Sequence, residues 1–132
     1  MHNKEAAVPT VSKHTTDSVN EYPVAIDRFS DLAGYTVNFV DITQSHSLAP
    51  MLAGLPGGHC VCPHWGYLFR GRMVVHYDDH DEVIEAGHAF YMPPGHVPDA
   101  DDGTEFVLFS PTQELQATEA AIAAAIQAHD PQ

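Results

Sequence analysis

Positive charge is scarce in this chain: five Lys and Arg stand against 18 Asp and Glu, a formal net charge of −13. Such a surface repels phosphate backbones and anionic headgroups, which argues against nucleic acid and membrane surfaces as partners. Solubility is the plainer reason for the charge. Long apolar runs are missing as well. No stretch approaches the ~20 apolar residues of a membrane span, and the opening Met1-His2-Asn3-Lys4-Glu5 lacks the apolar core of a secretory signal. Cysteine is limited to Cys60 and Cys62. Side chains two apart on a strand point the same way, with Cα atoms near the upper limit of disulfide geometry. Paired thiols in a cytoplasmic protein are more often a metal or redox site, and a cytoplasmic location is the expectation here. No Ser-His-Asp order, phosphate-binding glycine loop or dinucleotide fingerprint occurs.

What is present suits one domain. The chain has 132 residues, 44% of them hydrophobic, enough for a single core. Residues 1–20 are polar and aperiodic and read as a flexible arm. Residues 21–110 then carry short apolar segments separated by turn signals. Strands are predicted at Val24–Phe29, Tyr35–Ile42, Cys60–Arg70, Met73–Tyr77, Glu82–Glu85, Ala89–Met92 and Thr104–Phe109. A helical turn is expected over 47–53, before the breaker at 54–58, and Pro93–Pro98 reads as a corner. Short strands at intervals of about 8 to 12 residues indicate a sandwich or barrel. The end differs. Ser110 reads as a helix cap, Pro111 as the first helical residue and Gln113 as the partner in a capping box. Leu115, Thr118, Ile122 and Ile126 follow at helical spacing, so 111–132 is predicted to be one helix and tail packed on an all-β barrel.

The chemistry concentrates in Cys60-Val61-Cys62-Pro63-His64. On a strand, alternate residues share a face, which aligns two thiols and an imidazole. Thiolate and imidazole are donors that zinc and other borderline divalent ions prefer. The alternative is that both cysteines are small core residues and His64 is simply hydrogen-bonded.

At these residues the sequence resembles the cupin superfamily, whose first motif is G(X)5HXH(X)3-4E(X)6G and whose second is G(X)5PXG(X)2H(X)3N. With Gly71 as the closing glycine of the first motif, its Glu position falls on His64 and its His positions on Gly58 and Cys60. With Gly87 opening the second, Pro93, Pro94 and Gly95 follow in register and its His position falls on Pro98. Glycine and proline spacing is thus kept while the family's ligand positions change identity. The resemblance implies a single cupin jelly-roll barrel (a small cupin with a Cys-x-Cys-Pro-His variant of the first motif) and a metal inside it. A two-residue shift along a strand keeps a side chain on its face, which gives Cys60, Cys62, His64 and His96 as the metal ligand set. Zinc or iron is the expected ion. Haem is a minor alternative, since Cys62-Pro63 resembles the Cys-Pro dipeptide of haem-responsive proteins.

Tyr67, Phe69, Met73, Tyr77, Phe90 and Met92 are the expected pocket residues, unless they only fill the core. His59 is a lesser ligand candidate, while His76, His80 and His88 read as solvated. Three readings stay open: a metalloenzyme acting on a small organic molecule, a non-catalytic module closed around a Cys2His2 zinc, or a metal-free barrel with a small-molecule ligand. The resemblance also implies a homodimer.

Overall fold

A computed structural model describes residues 8–47 and 60–129. Among these residues ten strands and one helix follow in chain order: β1 Ser18–Glu21, β2 Ala25–Leu32, β3 Tyr35–Ile42, β4 His46–Ser47, β5 His64–Arg70, β6 Arg72–His76, β7 Asp81–Glu85, β8 Ala89–Met92, β9 Val97–Ala100, β10 Glu105–Pro111 and α1 Thr112–His129. They form a six-stranded sheet in the order β1-β2-β3-β10-β5-β8 and a four-stranded sheet in the order β4-β9-β6-β7. This is the cupin jelly-roll barrel that the glycine and proline spacing implies, with one helix behind it.

Local chemistry explains the joints. Leu32 pairs with Tyr35 across a two-residue turn, and both turn residues, Ala33 (φ 53°) and Gly34 (φ 86°), are left-handed. That is the turn whose twist matches a hairpin. Gly66 sits where β5 crowds β10: a Cβ there would run into the Val107 carbonyl and the Phe90 ring. Leu68, Met73, Val75, Met92 and Phe106 form the centre of the core between the sheets, each worth roughly 1.5–3 kcal/mol when fully buried.

Three sequence expectations are corrected. The N-terminal segment is not a free arm from Lys13 onward. β1 pairs with β2, and Lys13 Nζ lies 2.8 Å from Asp41 Oδ2 and 3.0 Å from Glu105 Oε2. Those carboxylates face each other directly across β3 and β10, so a cation between them relieves a like-charge pair. Second, Ser110 and Pro111 end β10, and the helix begins at Thr112; Ser110 is fully buried. Third, Val97–Ala100 is strand β9, paired with β6, although its proline suggested only a corner. Ser47, the first residue of the predicted helical turn at 47–53, ends β4; the rest of that turn, the breaker at 54–58 and His59 lie outside the described residues. Among the described residues, no helix is long and apolar enough to cross a membrane.

Candidate metal centre

Cys60 lies ahead of β5 and is tied to the β8–β9 loop. Its N–H donates to the His96 carbonyl (3.0 Å), and the Gly95 N–H donates to the Cys60 carbonyl (2.7 Å). The resulting antiparallel bridge places thiol and imidazole side by side. His64 opens β5, four residues after Cys60, and its ring centroid is 4.9 Å from that of His96. The Cys60 Sγ–His64 Nε2 distance is 3.8 Å. One ligand-type atom from each of Cys60, His64 and His96 lies within 4.8 Å of the others, and all three residues are buried. Donors of a tetrahedral zinc site stand ~3.5 Å apart, given metal–ligand bonds of roughly 2.0–2.3 Å. A small contraction would therefore suffice, and the donor set fits a divalent ion.

Neighbouring groups prepare both imidazoles. His96 Nδ1 donates to the Pro93 carbonyl at 2.6 Å. His64 Nδ1 lies 2.6 Å from the Ser110 hydroxyl. Bonds of this kind fix tautomer and orientation at metal-ligating histidines. Burial, reinforced by His96, pushes the His64 pKa down to about 3, so the ring is neutral. Burial pushes the Cys60 thiol up, partly opposed by hydrogen bonds to the Cys62 backbone and the Thr118 side chain.

Cys62 is treated differently by the fold. It is completely buried but is not part of the three-residue group. Its thiol lies 3.5 Å from the Pro63 carbonyl and packs with Leu115 of α1. Burial, followed by the fields of Cys60, Glu114 and Glu119, pushes it up to about 12 despite a hydrogen bond with Ser110. Regular strand starts only at His64, so alternation does not carry through Pro63.

A cavity of about 170 Å³ opens between the sheets, with Cys60, His64 and His96 in its wall. That is close to the size of a cavity that holds benzene. Met73 and Met92 line it, together with Ile42, Phe106 and Leu108, and α1 contributes Leu115, Thr118 and Glu119. Tyr77 and Phe90 line a separate depression with His80 and Pro93, although the Tyr77 ring reaches within 6.5 Å of His96. Tyr67 and Phe69 correct the expectation: they are exposed and in edge-to-face contact with each other. Alternation from buried His64 sends Gly66 and Leu68 inward and odd-numbered residues out.

His80 and His88 are exposed, as expected, His80 between Asp79 and Glu82, whereas half-buried His76 bridges Asp81 (2.8 Å) and Asp99 (2.7 Å). Sequence reasoning missed Asp27, Asn38 and Glu119 in the cavity wall and assigned Ser110 to a helix cap. For Asp27 and Asn38 the available signal was a polar residue at an inward position of an apolar strand.

No protein-family model matches this chain, and no curated protein does. Solved structures do. A protein of unknown function from Rhizobium leguminosarum superposes with a TM-score of 0.57 at 15% identity, over 79% of this chain and 96% of that one. KdgF from Halomonas sp. gives 0.55 at 18% identity, over 80% and 94%. The polyketide cyclase RemF from Streptomyces resistomycificus gives 0.56 at 14% identity, over 80% of each chain. With this topology, and with these neighbours, the chain has the cupin fold.

Proposed function

We propose that this protein is a metal-binding cupin in which Cys60, His64 and His96 hold one divalent ion, zinc or iron, and that it acts as an enzyme on a small organic molecule in the barrel. The observation that carries this is the convergence of three buried thiol and imidazole donors within 4.8 Å in the wall of a cavity. Three protein ligands among the described residues match the arrangement typical of catalytic rather than structural zinc, in which one coordination position stays open. A bound ion of this kind supplies Lewis-acid polarisation of an oxygen or a more acidic bound water. The chain's own part is to hold the two imidazoles by Pro93 and Ser110, and to exclude bulk water with Met73, Met92 and Phe106. A polyketide cyclase among the structures sharing the fold supports chemistry on small organic molecules as a use such a barrel can have.

The closed Cys2His2 reading lacks a donor, because Cys62 packs under α1 outside the group. Haem is too large for a cavity of about 170 Å³, since even drug-sized ligands need roughly 300–1,000 Å³. The apolar remainder of the wall favours one second reading, a metal-free barrel for a small apolar ligand. Cobalt(II) titration of the reduced protein separates the two. A thiolate-to-cobalt charge-transfer band that disappears in Cys60→Ala and persists in Cys62→Ala is the expected result. Absence of that band in the unsubstituted protein contradicts the metal reading.

A further inference from the structure

Two polar side chains interrupt the apolar cavity wall, far in sequence from the thiol and imidazoles. Asp27 on β2 and Asn38 on β3 both line the cavity. The register pairs Asp27 with Val40 and Phe29 with Asn38, so the two are diagonal neighbours on one face. Asn38 Nδ2 donates to both carboxylate oxygens of Asp27, at 2.9 and 3.1 Å. Asp27 is 9% exposed and Asn38 5%. Burying such a pair is costly, and apolar residues of similar volume usually serve a core as well or better. One atom makes the pair point to a ligand: Asn38 Oδ1 is buried and has no protein hydrogen-bond partner among the described residues. A buried acceptor left in that state costs about 1–3 kcal/mol.

The surroundings narrow the ligand. Tyr22 and Glu119 line the same cavity, and the carboxyls of Asp27 and Asp31 both act on Glu119. This end is therefore rich in acceptors and negative charge, and it disfavours an anion. Next to this pole the wall, with Val24, Ala25, Val40 and Ile42 nearby in the chain, is apolar.

We infer that Asp27 and Asn38 form a second, polar pole of the cavity, which binds the hydroxyl or amino hydrogen of a neutral molecule with a body about the size of a benzene ring. This deepens the small-molecule part of the proposed function and does not depend on the metal. Asn38 Oδ1 accepts the ligand's hydrogen, and the Asp27 carboxylate, held by Asn38 Nδ2, lies beside it as a second acceptor. Burial pushes the Asp27 pKa up to about 6, against the opposing Asn38 bond. The carboxyl is thus able to exchange a proton near neutral pH. Tyr22 and Glu119 are the titratable groups facing it.

The test compares phenol, toluene and benzoate as probes, titrated into the full chain and followed by protein NMR, with chelator and with zinc. Phenol is expected to bind roughly tenfold more tightly than toluene, and benzoate more weakly than either. Asp27→Asn and Asn38→Ala should each remove most of the preference for phenol over toluene, while toluene binding that is still detectable reports an intact barrel. If either variant does not fold, the phenol-to-toluene ratio of the unsubstituted protein decides. Equal affinity for the two, binding of neither, or a phenol preference that survives both substitutions would overturn the inference. In Cys60→Ala the phenol preference should persist while metal is lost, so failure of this pole and failure of the metal centre are read separately.

Discussion

The Cys60 N–H donates to the carbonyl of His96 at 3.0 Å, so two candidate ligands 36 positions apart in sequence share one backbone bridge. His64 needs no such device, since it enters the same space as the first residue of β5. The centre thus depends on a loop being held to a strand start, and on side chains behind the donors that fix their rings.

Ser110 is the clearest of those supports. Its hydroxyl lies 2.6 Å from His64 Nδ1, and Ser110→Ala leaves that nitrogen without its partner. Loss of a group of this kind typically weakens metal affinity by ~10–100-fold. Competition with a chromophoric chelator should report that loss, while circular dichroism shows an unchanged fold.

Asp27 makes stability depend on pH in a defined direction. Its pKa is raised from 3.8 to about 6 in the folded state, so folding favours the protonated carboxyl. The cost is absent below the unfolded pKa, grows as pH rises between the two values, and is complete above the folded one. Over the whole window this amounts to about 3 kcal/mol at most. Asp27→Asn removes the titration, so its stability relative to the unsubstituted protein should rise steadily from pH 4 to above pH 6 in urea unfolding. A difference independent of pH across that range would refute the account of this carboxyl.

Lys13 offers a test of the N-terminal segment. It bridges Asp41 and Glu105, which Arg28 and Arg70 also approach, at 3.6 and 3.0 Å. Lys13→Met should destabilise the fold by about 1 kcal/mol at low salt. The loss should shrink at high salt as the repulsion between the two carboxylates is screened.

Much of the frame was legible in the sequence because it depends on local rules. Strand β3 begins and ends where alternation and the Asp31–Gly34 turn place it, and Met73 and Met92 reach the cavity from strands of ordinary parity. The errors have local causes too. Tyr67 and Phe69 are large and apolar, but strict alternation from His64 turns them outward. Cys62 precedes Pro63 and regular strand, so parity did not apply to it. Ser110 satisfies every local requirement of a helix cap, yet β10 continues through it and its hydroxyl serves His64. Asp27 and Asn38 have no motif at all; their meaning arises only when two strands pair and bury them together.

The most direct test of the central claim is the metal content of protein purified under reducing, chelator-free conditions, measured by elemental analysis for the unsubstituted chain and its single variants. The account predicts about one zinc or iron per chain, retained in Cys62→Ala and lost in Cys60→Ala, His64→Ala and His96→Ala. No stoichiometric metal in the unsubstituted protein, or full retention in Cys60→Ala, would contradict it.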